Sequence, residues 1–335
     1  MAININKKIS VIIPNFNGRD FLEVCLASLS RQSFTDFELV VVDNGSTDDS
    51  LALVNSRFPE ANIYKFKENK GFSCAVNQGL KMASGEYLFL LNNDTELQVD
   101  CLKNINDFLD SRSDVSIVAT KMIFFDNRKL LNDVGDVFSV YGIAHQRGKE
   151  ELDNGQYDKI EAVFGACAGA AVYRRKLFED IGFFDEDFFA YLEDVDLCFR
   201  AQIKGYKCFY LPSAVVYHVD GGTSKKIPNF SRFLTLRNGL YVVFKNFHWS
   251  LLFLLSPFLV LSQVRNIFVG IKHRCPFLIF KVYFDFFRNL PVLWKKRLLI
   301  QSGRRVSAKY LLGILSKKYP FSIKKSFHDF FSNHR

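Results

Sequence analysis

The chain has 335 residues, with 44 Lys and Arg against 35 Asp and Glu, and 48% of its residues are hydrophobic. That apolar share excludes a disordered chain, and 19 Gly and 8 Pro exclude collagen-like or low-complexity sequence; the length suits one large α/β domain with an appendage, or two modest domains. The charge is divided, because residues 221–335 hold 21 bases and only two acids, Asp285 and Asp329, whereas residues 1–220 hold 33 acids and 23 bases. An acidic body with a basic tail rich in Phe points to two jobs in one chain. The seven cysteines form no CxxC pair, and Met1–Ser10 lacks the apolar run of a secretory leader. The expectation is reduced thiols in the cytosol, packed as small hydrophobes.

Strand and helix alternate through the first 120 residues. Ile9–Phe16 is a short β-branched apolar run, as in a strand buried on both faces, and Phe21, Leu22, Cys25, Leu26 and Leu29 then recur at helical spacing. Phe37–Asp43 is a second buried strand, broken at Asn44-Gly45, after which Ser46, Thr47 and Asp48 offer N-caps for a helix through about Phe58. Asn62–Glu68 reads as a third strand, Gly71–Ser84 as a helix stopped by Gly85, and Glu86–Asp94 as a fourth strand ending in three polar residues. A helix over 100–112 and a strand over 115–122 follow. This rhythm predicts βαβ crossovers and a mostly parallel, doubly wound sheet. Residues 123–172 carry scattered glycines, and their strands are not placed by pattern. Beyond them we expect a helix at Arg174–Ile181, a helix within Phe183–Arg200 running on to Gly205, and two short strands, Tyr206–Leu211 and Ala214–Val219.

In such sheets ligands bind beyond the carboxyl ends of the strands. Those ends here read Pro14-Asn15-Phe16-Asn17, Asp43-Asn44-Gly45, Glu68-Asn69-Lys70-Gly71 and Asn92-Asn93-Asp94. No GxGxxG follows the first strand, which argues against a dinucleotide-dependent oxidoreductase. Asp94 reads either as a carboxylate for a hard divalent cation or as a turn or helix cap. Glu193, Asp194 and Asp196 fall within four residues, too close for one helix face. Asp194 shares its face with Leu197, Cys198 and Ala201; such an acid is a candidate base, or it compensates the dipole of a first helical turn. Arg200 is placed to pair with an acid across the turn. His218, at a strand end before Asp220-Gly221-Gly222-Thr223, is a metal ligand or a structural histidine. Asp43 either accepts from a nucleotide base or ribose or makes an Asx-turn, and Lys70-Gly71 either contacts phosphate or starts a helix.

Taken together, SVIIPNFNG (10–18), VVDNGSTDDS (41–50), ENKGFSCAVNQG (68–79), LFLLNNDTEL (88–97), YLEDVDLCFRAQIKGY (191–206) and YHVDGGT (217–223) resemble an inverting family 2 glycosyltransferase. The resemblance implies a GT-A fold, that is, a Rossmann-like α/β domain with a mostly parallel central sheet and flanking helices. It also implies that Pro14, Asn15, Phe16, Asn17 and Asp43 line the base and ribose site, with Lys70, Gly71, Asn77, Asn92 and Asn93 elsewhere along the nucleotide sugar. Asp94 stands where the family's DXD-type motif supplies a metal-binding acid, and His218 where some members complete the site for Mg²⁺ or Mn²⁺. Asp194 stands at the catalytic base, with Glu193 and Arg200 beside the acceptor. Two departures stand out: Asn92 and Asn93 replace the first two acids of the motif, and Val76 replaces an Asn or Arg. The NND form and the GF-x5-NxG stretch look most like a rhamnosyltransferase-like branch acting on lipid-linked or cell-surface glycans.

In the tail, residues 246–264 lack formal charge and include Pro257. As a helix they would span roughly 28 Å, just short of a hydrocarbon core of about 30 Å. Pro276–Phe287 reads as an interfacial helix, and the clusters Lys295-Lys296-Arg297, Arg304-Arg305, Lys317-Lys318 and Lys324-Lys325 follow. The expected division is a catalytic domain over 1–225 and a helical, membrane-associating region over 226–335. Monotopic or re-entrant attachment leads a spanning helix and a soluble appendage or oligomer contact. The long uncharged stretch argues against a nucleic-acid partner. The expected partners are a nucleotide-diphosphate sugar, a glycan or polyprenyl-linked glycan acceptor, and an anionic membrane surface on the cytoplasmic side. A non-catalytic nucleotide-sugar-binding or scaffold subunit is the competing reading, resting on the weakened NND motif.

Overall fold

The structure, a computed structural model, describes residues 7–219 and 229–319. The chain begins β1 (Ile9–Asn15), α1 (Arg19–Ser30), β2 (Phe37–Asp43), α2 (Ser50–Arg57), β3 (Asn62–Lys65), α3 (Phe72–Met82) and β4 (Tyr87–Leu91). Next come β5 (Thr95–Leu97), α4 (Cys101–Ser111), β6 (Val115–Phe124), β7 (Leu131–Asp133), β8 (Asp136–Phe138), β9 (Ala144–Gln146), β10 (Glu161–Val163) and β11 (Ala170–Arg174). The remainder is α5 (Arg175–Ile181), α6 (Glu193–Ile203), β12 (Lys207–His218), α7 (Phe230–Asn246), α8 (Trp249–Lys272), α9 (Pro276–Ser302) and α10 (Ala308–Ile314).

The main sheet has the order β10-β12-β6-β11-β4-β1-β2-β3, with β5 added to β12 and β7 added to β6. Only β11 and β10 run against the other strands of that path, so the sheet is mostly parallel. The β-branched strands β1 and β2 are covered on both faces, as their unbroken apolar runs require. On one face Leu22, Cys25, Leu26 and Leu29 of α1 and Leu102, Ile105 and Leu109 of α4 pack on Val11, Val41, Phe89 and Leu91. On the other, Ala75, Val76 and Leu80 of α3 and Leu197, Cys198 and Phe199 of α6 pack on Ile12, Val42, Leu88 and Leu90. Val76 is fully buried there, so it serves packing.

Two expectations change. The helix expected within 183–205 begins only at Glu193, because Phe189, Tyr191 and Leu192 hold φ of 64°, 68° and 65°, which an α-helix cannot accommodate. The two short strands before His218 are one strand, β12, whose pairing with β6 slips between Leu211 and Val215, around Pro212. The C-terminal helices share the body's core: Tyr241, Val242, Leu293 and Leu311 pack in the same cluster as α6. Phe199 of α6 meets Phe138, Phe164 and Phe247 with ring centroids at 4.8, 4.7 and 5.7 Å. Each such edge contact adds about 0.5–1.5 kcal/mol beyond its buried area, which fixes α6 between β8, β10 and the end of α7. The apolar stretch beginning at Pro276 does not stop at Phe287 but belongs to the 27-residue helix α9. The Asp220–Thr223 part of the YHVDGGT stretch and the Lys324-Lys325 cluster lie outside the described residues.

Candidate active site

The ends of β1, β2 and β4 are tied into one hydrogen-bonded ladder. Asn15 is buried and donates through Nδ2 to Asp43 Oδ1 and Ser46 Oγ, both at 3.3 Å, while its Oδ1 accepts from Asn93 Nδ2 at 2.7 Å. Asp43 Oδ2 accepts the Ser46 N–H at 3.1 Å, so the turn role left open by its sequence is filled. Asn17, in the left-handed region at φ 48°, donates its N–H to Ser46 Oγ and accepts the Thr47 N–H at 2.8 Å. A Cβ at Gly18 would lie 2.0 Å from Asn93 Nδ2 and 2.8 Å from Asn15 Oδ1, so a side chain there would displace the Asn15–Asn93 bond. Pro14 and Phe16 are half-buried beside this ladder. Asn44 donates to Asn69 Oδ1 and the Gly71 carbonyl and accepts the Lys70 N–H at 2.9 Å; the exposed Lys70 ammonium pairs with Glu68. A Cβ on Gly71, at φ 91°, would come within 2.7 Å of the Phe189 carbonyl oxygen. Glycine therefore lets the segment before α6 close on this edge.

Antiparallel pairing of β5 with β12 sets His218 opposite Thr95. His218 Nε2 consequently lies 3.4 Å from Asp94 Oδ1, with both side chains buried. His218 Nδ1 is held 2.9 Å from Asn132 Oδ1 on β7. With Asn132 Oδ1 accepting there, Nδ1 carries a proton, and Nε2 is the ring nitrogen that faces Asp94. Asp94 Oδ1 has no hydrogen-bond partner although buried. Two ligands sharing one cation at about 2.1 Å each stand roughly 3.0–3.4 Å apart, so Asp94 and His218 fit a divalent ion. Among the described residues no group of three or more His, Cys, Asp or Glu gathers to hold a metal. Substrate phosphates and water are the natural remaining ligands. A cavity of about 170 Å³ opens at Asp94, bordered by Asp20 and Asp126.

Asp194 joins this edge through the loop before β11. Asn92 N–H donates to the Gly169 carbonyl at 2.8 Å, and the neighbouring Ala168 N–H donates to Asp194 Oδ2 at 3.0 Å. The Val195 N–H donates to Asp194 Oδ1 at 2.8 Å. Asp194 is half-buried, and three buried carboxyls lie close to it: Asp133, Asp136 and Glu193. Burial raises all four above the ordinary carboxylate range. At Asp194 the Ala168 and Val195 N–H groups oppose that rise. Its charge in turn helps push Asp133 up to about 7 and Asp136 and Glu193 well above their usual range. Neighbouring acids driven apart in this way can divide into proton holders and one base, and Asp194, whose rise the two N–H groups oppose, is the candidate for the base.

The left-handed residues just before Asp194 are clamped by Asn238 of α7. Its fully buried amide donates to the carbonyls of Phe188, Ala190 and Tyr191 at 3.1, 2.9 and 2.7 Å. Two sequence candidates are engaged away from the edge. Asn77 exchanges hydrogen bonds with the Phe184 backbone and donates to Glu186 Oε1 at 2.9 Å. Arg200 pairs with Asp196 at 2.9 Å and donates to the carbonyls of Ile181, Gly182 and Phe183. Asp196 also meets Lys245 at 2.8 Å, and Lys245 and Lys296 both pair with Asp185. The pattern reading missed Asn132, Asp133, Asp136 and Asn238. The first three lie in the stretch whose strands it did not place, and their signal was the acids set among apolar residues in LLNDVGDVF. Nothing local marks Asn238.

The model of the family described as "Glycosyl transferase family 2" matches residues 10–182, just over half of the chain. A PGL/p-HBAD biosynthesis glycosyltransferase of Mycobacterium bovis is 31% identical over 179 residues, covering 52% of this chain and 61% of that protein. Glycosyltransferase GlyA of Streptococcus pneumoniae is 26% identical over 238 residues, covering 67% of this chain and 32% of that protein. The chain thus spans at most about three-fifths of these two curated relatives. Among solved structures, S. aureus TarS superposes with TM-score 0.52 at 21% identity over 71% of this chain and 40% of its own. GalNAc-T7 crystallised with UDP, GalNAc and Mn²⁺ gives TM-score 0.58 at 15% identity, over 71% of this chain and 47% of that one. At those identities the likeness establishes the fold, which is GT-A-like.

Proposed function

This chain belongs to glycosyl transferase family 2, and from that membership we propose that it transfers a sugar from a nucleotide-diphosphate sugar to a hydroxyl of a glycan or lipid-linked glycan acceptor, inverting the anomeric carbon. The observation that carries this reading is the single edge that joins the Asn15–Asp43–Asn93 ladder, the Asp94–His218 pair and half-buried Asp194. Asp194 takes the proton from the acceptor hydroxyl as its oxygen attacks the anomeric carbon, and the nucleoside diphosphate leaves from the opposite face. No covalent sugar–enzyme intermediate is required. Asn15, Asn17, Asp43 and Asn93 orient the nucleoside end. Asp94 and His218 would hold Mg²⁺ or Mn²⁺, which supplies charge neutralisation for the departing diphosphate; a structural neighbour crystallised with UDP and Mn²⁺ is in keeping with a divalent ion in this fold.

We place the enzyme on the cytoplasmic face of a membrane, lying on it through α8 and α9. Helix α8 is long and apolar enough to cross a bilayer by length and composition alone. Yet its outward residues, with Phe253 87% exposed, continue into Phe277, Phe280, Phe284 and Phe287 of α9. Exposed Lys281, Arg288 and Lys295 flank them, and each base near an anionic leaflet contributes about 1 kcal/mol. Cell-surface glycan synthesis suits this placement, with rhamnose the first sugar to test. The experiment is a donor panel of uridine and thymidine diphosphate sugars with Mn²⁺ or Mg²⁺, read by release of nucleoside diphosphate. Turnover that depends on both an acceptor and Asp194 supports the proposal. Tight donor binding without turnover on any acceptor overturns it.

A further inference from the structure

Between the β9 hairpin and helices α7 and α8 lies a cavity of about 410 Å³, a size usual for small-molecule sites. Three separate elements each send one cation to its wall: Lys149 from the turn after β9, Arg232 from α7 and Arg265 from α8. Thr235, Gln263 and Asn266 add neutral hydrogen-bonding groups, and no Asp or Glu is among the lining residues. Arg232 is only 8% exposed. Three cations and several neutral donors converging on one partly open cavity are suited to a multiply charged oxyanion such as phosphate or diphosphate.

The cavity adjoins the carboxyl cluster on one side. Leu192, which lines it, is the residue just before Glu193 and Asp194. Lys149 Nζ donates to Gln146 Oε1 at 2.8 Å, and both Lys149 and Gln146 favour the charged form of Asp133, the carboxyl beside Asp194. The other wall is α8, whose outer surface exposes Phe253, Val260, Leu261, Val264 and Phe268. A ligand whose anionic group sat in the cavity would have room for a hydroxyl-bearing part toward Asp194 and an apolar chain beside α8.

We infer that this cavity binds the phosphate or diphosphate of a lipid-linked acceptor, gripping it through Lys149, Arg232 and Arg265. The inference rests on the reading of Asp194 as the acceptor's base, and it adds the anion that fixes the acceptor's register.

The test uses the full chain in neutral detergent, with farnesyl diphosphate as probe and calorimetry as readout. Inorganic pyrophosphate, farnesol and phosphatidylglycerol vesicles form the comparison arms. We expect farnesyl diphosphate to bind more tightly than either farnesol or pyrophosphate. The double variant Lys149→Gln/Arg265→Gln is expected to weaken it roughly 10- to 100-fold, while Arg57→Gln/Lys103→Gln, an equal charge change on the exposed surface of α2 and α4, leaves it within about twofold. Equal affinity for farnesol, displacement by phosphatidylglycerol at equal phosphate concentration, or an unchanged Lys149→Gln/Arg265→Gln variant each overturns the inference. Nucleoside diphosphate affinity with Mn²⁺ is measured in parallel. If it is retained in the double variant, the protein is folded and the loss is local. If the wild type shows no nucleotide binding but keeps cation-dependent farnesyl diphosphate binding, the transferase reading fails and the cavity assignment stands.

Discussion

Asn238→Ala tests how the candidate base is held in place. The wild-type amide donates to three carbonyls of the segment that ends at Leu192. That segment contains three non-glycine residues at φ near +65°, each costing about 1–2 kcal/mol. An amide nitrogen has two protons, so its removal strands about two buried acceptors, at roughly 1–3 kcal/mol each. A net loss of about 3 kcal/mol follows. With an unfolding entropy of about 2.1 cal/mol/K per residue, the whole chain melts with about 0.7 kcal/mol/K, and the midpoint falls by about 4 °C. The effect on transfer is larger than this stability loss suggests, because the freed segment relaxes toward negative φ and moves Asp194, which follows Leu192 by two residues. A displacement near 1 Å costs on the order of 100-fold in rate. Scanning calorimetry and acceptor-dependent release of nucleoside diphosphate are the assays, with nucleotide affinity expected to stay unchanged. A variant that melts within 1 °C of the wild type and transfers at its rate refutes the clamp.

Asp194→Asn should lower transfer by about 10²- to 10⁴-fold while sparing nucleotide binding, since only the proton acceptor is lost; an unchanged rate removes Asp194 from the mechanism. Transfer by the wild type should rise with pH as Asp194 loses its proton, at a pH above the ordinary carboxylate value because burial raises it. Asp133, pushed up to about 7, should add a second inflection near neutrality that Asp133→Asn abolishes in the pH–rate profile. Asn132→Leu should raise the Mn²⁺ concentration needed for half-maximal activity roughly 10- to 100-fold by releasing the His218 ring, and a titration unaffected by the change would remove the metal role from His218. Lys245→Met leaves Asp185 and Asp196 buried with one cation fewer, and should cost about 3–5 kcal/mol by denaturant titration at neutral pH. Although burial opposes their ionisation, Lys245 with Lys296 or Arg200 holds both acids below the usual range. Their contribution is therefore present above the unfolded carboxylate value of about 3.9 and is lost as pH falls below it. The gap between variant and wild type should close in acid, and a gap independent of pH would exclude these ion pairs as its source.

The sequence by itself determined the alternation of strand and helix and the polar residues at the strand ends. Both are local: a buried strand such as Phe37–Asp43 needs an unbroken apolar run, and a chain leaving a sheet turns on Asn, Asp and Gly. It also marked Asp94, Asp194 and His218 individually, since an acid or imidazole at the end of an apolar strand, or an acid on an apolar helix stripe, stands out. Only the tertiary structure decided which of them meet. His218 reaches Asp94 because β5 pairs antiparallel with β12, a register set across more than 100 residues. Asn132 and Asp133 join them because β7 adds to β6. Asn77 and Arg200 go elsewhere because the carbonyls of residues 181–184 accept from them and the Glu186 carboxylate accepts from Asn77. The three positive φ angles that delay α6 have no local signature, for they are stabilised by an asparagine on a helix some 50 residues further along. Periodicity records which face of an element is buried, and it carries no record of the partner that buries it.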